Sequence, residues 1–175
     1  MPIASFSSVL SVSFLTISNS ARLISQRIPA ALLHRQPATG EWSAVECLLH
    51  LLDTEQAAFP VRVVCFLEGR DFPAFDPDSE GTKMEESADA LTLALEFGRL
   101  RQQSLALLAR LDPADLSRTA RHQELGPVTL DQLLHEWVAH DLMHTVQAER
   151  ALMQPFIEGC GPWRPYFADH IAAKP

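Results

Sequence analysis

Gly126-Pro127-Val128-Thr129-Leu130-Asp131-Gln132-Leu133-Leu134-His135-Glu136-Trp137-Val138-Ala139-His140-Asp141-Leu142-Met143-His144-Thr145-Val146-Gln147 is the stretch on which the fold turns. Gly126-Pro127 punctuates a polar connector, and Thr129 with Gln132 three residues on spells a capping box, each side chain taking the other residue's free backbone N–H. From there Leu130, Leu133, Trp137, His140, His144, Gln147 and Ala151 recur at steps of three and four. That is the inward stripe of a helix, which Pro155 is expected to close. Two histidines stand where a core would take leucine. Four residues apart, they lie one turn from each other on one face, so both imidazoles can reach a single metal ion. Without a third ligand such a pair is more often two hydrogen-bonded core histidines. His135-Glu136 does not make a zincin motif, because the second histidine it needs would fall on Ala139. His135 points away from the His140–His144 face and reads as a surface residue.

A third ligand is offered upstream. Ser43 and Glu46 form another capping box, which starts a second helix at about Ala44. Its main buried stripe is Leu49, Leu52, Gln56, Phe59, Val63 and Phe66, with Pro60 expected to kink it and Gly69 to cap it. His50 sits on a neighbouring, mostly apolar stripe with Cys47, Leu51, Thr54, Ala58 and Val61. Bundle metal sites draw side chains from facing helices, so His50, His140 and His144 would make a three-ligand set with an open position, the catalytic type. Asp53 and Glu46 lie within a turn of His50 and suit orienting its second nitrogen or base chemistry, or they are simply surface carboxylates. Gln147, one turn beyond His144, is either a supporting or substrate-binding group or a solvated helix end. Cys47 shares a face with His50, which allows a thiolate–imidazole nucleophile or a fourth ligand, although a buried free cysteine is more often inert.

Elsewhere the chain reads as helix and punctuation. Phe6, Leu10, Phe14, Ile17, Ala21, Ile24 and Ile28 mark a first helix ending at Pro29, with a strand as its rival where Leu10, Val12 and Phe14 alternate with serines. Residues 70–86 form a long acidic loop, sufficient to cross the end of a bundle. A third helix spans about Ala88 to Leu111, with Leu91, Leu95, Gly98, Gln102, Leu105 and Leu108 on one face and Asp112-Pro113 as its stop. The segment after Pro155 carries Trp163, Tyr166 and Phe167 and is expected to fold back on the bundle. One domain over residues 1–175, all-α and four-helix, is the resulting expectation.

Composition removes several functions. A net charge of −8 with no cluster of basic residues lacks the electrostatic source for binding nucleic acid. No apolar run is long enough for a membrane span. Cys47, Cys65 and Cys160 contain no CxxC pair, and an odd count of three fits a reducing cytoplasm better than a disulfide framework. The uncharged N-terminal segment lacks the basic start of a secretory signal and is diluted by serine. No glycine-rich phosphate loop and no GxSxG elbow is present.

Gly40-Glu41-Trp42-Ser43 through His50-Leu51-Leu52-Asp53-Thr54-Glu55, the 126–147 stretch, and Gly161-Pro162-Trp163-Arg164 with Tyr166-Phe167 together resemble the DinB-like superfamily from about residue 22 onward. The resemblance implies a four-helix bundle of up-down-down-up connectivity, with a long crossover between helices two and three, often as a homodimer. It implies a divalent metal on His50, His140 and His144. It also implies thiol-dependent S-transferase or isomerase chemistry with a low-molecular-weight thiol, or metal-dependent hydrolysis, on a small-molecule substrate. Imidazole ligands leave the metal open among zinc, nickel, manganese and iron. The contrasting expectation is a non-enzymatic dimeric bundle, with a structural or vacant metal site, that serves partner binding.

Overall fold

A computed structural model describes residues 3, 8–11, 27–72, 74–76 and 89–172. The described chain is mostly helical: a single turn α1 (Ala30–Leu33), α2 (Ala44–Ala57), α3 (Phe59–Glu68), α4 (Ala90–Leu108) and α5 (Leu130–Gly159). Two 3-10 helices, Pro113–Ser117 and Gly161–His170, and a two-stranded sheet of β1 (Thr119–His122) and β2 (Gly126–Thr129) complete it. No helix among the described residues is long and apolar enough to cross a membrane.

The helix starts follow the sequence closely. Both capping boxes are made: Ser43 Oγ accepts from the Glu46 N–H while Glu46 accepts from the Ser43 N–H at 2.6 Å, and Thr129 with Gln132 does the same. These caps set the helical phase, which decides the direction in which His50, His140 and His144 project. The expected second helix is two helices, α2 and α3. The break falls at Ala58 (φ −113°, ψ −77°), and Pro60 occupies the first turn of α3, where its missing N–H costs nothing. Gly69 at φ +66° ends α3, with its own N–H and that of Arg70 returning to Phe66 and Cys65 carbonyls, a Schellman cap.

Four further expectations need correction. The buried face of α4 is Ala90, Ala94, Phe97, Gly98, Arg101, Ser104 and Leu108, so Gly98 and Leu108 are buried as expected, whereas Leu95 and Gln102 face outward. The leucine-rich stripe is the more hydrophobic on paper, but the helix turns by one residue to bury Arg101 against two acidic side chains. Secondly, Pro155 lies inside α5, which continues to Gly159. Proline removes one backbone bond, and the turn beyond it is held by the burial of Ile157 and by Gln154, whose amide donates to the Arg150 and His170 carbonyls at 2.8 Å. Thirdly, the connector before α5 is a hairpin, with Thr119 opposite Thr129 and His122 opposite Gly126. Gln56, placed on the buried stripe of the second helix, is also exposed.

α2 lies between α4 and α5. Leu48, Leu51 and Leu52 pack on Ala94 and Phe97, and α3 buries Phe59, Val63 and Phe66 against Leu130, Leu133, Leu134 and Trp137 of α5. The first helix expected from the sequence, ending at Pro29, lies mostly outside the described residues, although Leu10 is fully buried in the core. The long acidic loop expected over residues 70–86 likewise lies mostly outside them. The C-terminal segment is tied to α5 by Arg150, which donates to the carbonyls of His170 and Ile171, and by the Ala172 N–H on Gln154. Polar bonds hold it, and Trp163 and Tyr166 remain exposed.

Candidate metal centre

α2 and α5 bring His50, His140 and His144 together, with ligand nitrogens all within 4.8 Å of one another. His50 Nε2 and His140 Nε2 are 3.0 Å apart. Three nitrogens each about 2.1 Å from one tetrahedral ion would be separated by about 3.4 Å, which the observed range brackets. The donor set therefore fits a divalent cation. Trp42 stacks on His144 at 5.5 Å between ring centroids and tilts against His50 at 4.8 Å, while Phe59 meets His140 edge-on at 5.0 Å. These rings limit the rotation of the imidazoles.

The protonation states suit ligation as well. Burial, followed by the neighbouring His144 and His140, lowers the pKa of His50 to about 4. His144 is lowered too, by burial first and then by His140. At neutral pH both are uncharged, the form that binds metal. His144 Nδ1 lies 2.8 Å from Gln147 Oε1. An amide oxygen only accepts, so the His144 proton sits on Nδ1 and the Nε2 lone pair faces the cluster.

Under His140 lies a buried ionic cluster that the sequence reading missed. Asp141 Oδ1 is 3.7 Å from His140 Nδ1, and Asp141 Oδ2 is 2.7 Å from Arg101 Nη2. Arg101 also donates to Glu55 Oε2 from Nε at 3.0 Å and from Nη2 at 2.7 Å. All three side chains are fully buried, and the guanidinium lies over Phe97 and Trp137. A lone arginine on the Ala94–Phe97–Arg101–Ser104–Leu108 stripe was the available signal.

The remaining candidates occupy other roles. The Glu46 carboxylate caps α2 and accepts from Gln36 Nε2 at 3.3 Å. Asp53 is half-buried on α2, and neither acid lines the cleft of about 460 Å³ into which the three histidines open. Cys47 is fully buried, and burial, helped by Glu46, pushes its thiol up to about 12, so it offers no thiolate at neutral pH. His135 is on the surface, its Nδ1 2.8 Å from the Asp131 carbonyl.

Residues 19–148 match the family model of the DinB superfamily. The chain belongs to the DinB superfamily. Among solved structures, this DinB-superfamily chain is similar to YfiT from Bacillus subtilis, a protein described as a probable metal-dependent hydrolase with an unusual four-helix bundle topology. The two are 18% identical, with a TM-score of 0.73, and the match covers 88% of this chain and 87% of that one. At this identity the likeness speaks for the fold, which is the four-helix bundle. No curated protein matches the chain.

Proposed function

We propose that His50, His140 and His144 hold one divalent metal ion with an open coordination position, and that the protein is a metal-dependent hydrolase or thiol S-transferase acting on a small molecule. The convergence of three imidazoles from two helices, with Gln147 fixing the tautomer of His144, carries this reading. Zinc and nickel are the preferred ions, with manganese and iron as further options for a nitrogen donor set. When bound, the ion supplies Lewis acidity, lowering the pKa of a water or thiol so that a nucleophile exists at neutral pH. The protein's part is to hold the ligands, shield the cleft with Trp42 and Phe59, and orient the substrate.

A cytoplasmic homodimer is part of the proposal. Leu142, Met143 and Val146 form an exposed apolar strip on α5 that a second copy would cover. The same face favours a second reading, in which the dimer itself is the function and the metal site is structural or vacant. Removing metal with a chelator separates the two: a catalytic site loses activity while the dimer persists, and a structural site loses stability.

Elemental analysis of the purified protein beside His140→Ala tests the central claim. About one ion per chain in the wild type and none in the variant is the expected result. Protein that is metal-free and takes up neither added zinc nor added nickel would overturn it.

A further inference from the structure

An imidazole has two nitrogens, and what one of them meets decides whether the other is left with a lone pair for a metal. Gln147 settles this for His144, and the surface residue His135 turns its Nδ1 to the carbonyl four residues back. His140 does neither: its Nδ1 is buried and has no hydrogen-bond partner among the described residues. It faces Asp141 Oδ1 at 3.7 Å, beyond hydrogen-bond length but near enough for a carboxylate to act on a ring nitrogen. That carboxylate is buried and held in place. Its other oxygen is ion-paired with Arg101 at 2.7 Å, and Arg101 is fixed in turn by Glu55, Phe97 and Trp137. At the ring's other nitrogen, His140 Nε2 lies 3.0 Å from His50 Nε2, so in the neutral pair one of those nitrogens carries a proton and the other a lone pair.

The contact with His50 leaves the two assignments equal, and Asp141 separates them. A lone pair on His140 Nδ1 would be repelled by the carboxylate oxygen it faces, away from water, whereas a proton there is attracted to it. We propose that Asp141 is a positioning residue that fixes His140 as the Nδ1–H tautomer and leaves the Nε2 lone pair for a metal ion, with Arg101 and Glu55 holding the carboxylate in place. In the metal-free protein His140 Nε2 then accepts from His50 Nε2–H. A carboxylate behind a ligating imidazole also makes it a stronger donor to the metal. That second consequence rests on the metal reading above, and the tautomer does not.

Asp141→Asn separates this role from a structural one. Arg101 only donates, so it takes the amide oxygen and turns the amide NH2 toward His140 Nδ1, which then favours a lone pair there and a proton on Nε2. Glu55→Gln is the control, because Glu55 pairs with Arg101 and not with His140. Two carboxylates share one guanidinium, so either substitution leaves Arg101 with one acid and the fold with a balanced pair. Nitrogen NMR of the imidazole rings in the metal-free full chain, with the rings neutral, should show His140 protonated on Nδ1 in the wild type and in Glu55→Gln, and on Nε2 in Asp141→Asn. Zinc affinity, measured by competition with a coloured chelator, should fall by roughly ten- to hundredfold in Asp141→Asn and by less than about tenfold in Glu55→Gln. A wild-type His140 protonated on Nε2 would overturn the proposal whether or not the variants fold. So would a tautomer that Asp141→Asn leaves unchanged, or an equal loss of zinc in both variants. Wild type that takes up no zinc would defeat the metal reading alone, and the ring spectra of the metal-free protein would still decide the role of Asp141.

Discussion

Arg101 shows how one side chain can govern a helix's orientation. Its guanidinium neutralises one of two buried carboxylates, Glu55 and Asp141, and stacks on Phe97 and Trp137. Desolvating three charges is expensive, and only their mutual contacts offset it. Arg101→Leu should therefore destabilise the protein by about 3–5 kcal/mol, because two buried acids lose their cation. Urea unfolding would show it, and a midpoint within error of the wild type would refute the account. His50 makes a second prediction. Its pKa falls from 6.5 to about 4 on folding, so the unfolded chain takes up the proton first as pH drops. The metal-free protein should have this contribution in full above pH 6.5 and lose it progressively as pH falls toward 4. Comparing urea midpoints of wild type and His50→Gln across that range isolates the effect. Parallel pH curves for the two would contradict it. The histidine cluster was legible from residue spacing, because i and i+4 share a helix face wherever the helix goes. Arg101 was not, because its partners are 46 and 40 residues away on either side, and a charge on an apolar stripe reads as a phase error until those partners are known.

Capping is the device that sets the elements. Thr129 and Gln132 start α5 and so fix the rotation that aims His140 and His144 inward. Thr129→Ala should cost about 1 kcal/mol by removing the side-chain acceptor for the Gln132 N–H. A fall in Tm would register it, and Thr129→Ser should restore most of the loss; an unchanged Tm for Thr129→Ala would argue that the hairpin alone holds the start. Caps and glycine stops were readable because they act over three or four residues. Helix ends resisted reading where distant contacts override local chemistry. Pro155 forfeits one hydrogen bond, yet α5 runs on because Gln154 and Ile157 are held by the core and the C-terminal segment. The hairpin of Thr119–His122 and Gly126–Thr129 was too short for a periodic signal, and Phe72 joins it through its N–H on the Arg121 carbonyl.

At the scale of the whole molecule, α5 separates two surfaces. One face carries His140 and His144 into the cleft; the other leaves Leu142, Met143 and Val146 to solvent. If that apolar face is the dimer contact, Val146→Lys should convert the protein to monomer without displacing His50, His140 and His144. Light scattering gives the answer, and a monomeric wild type would refute the homodimer. The sequence by itself determined the helical class, the capped starts of α2 and α5 and the shared face of His140 and His144, because all three follow from the local geometry of a chain that repeats every 3.6 residues. Tertiary structure decided which α4 stripe is buried, that Glu46 and Asp53 stay out of the cleft, that Cys47 is silent, and that Arg62 and His122 meet at Phe72. Each of those outcomes depends on burial or on charges meeting across separate elements, and neither desolvation nor long-range pairing is encoded in the spacing of residues along one helix.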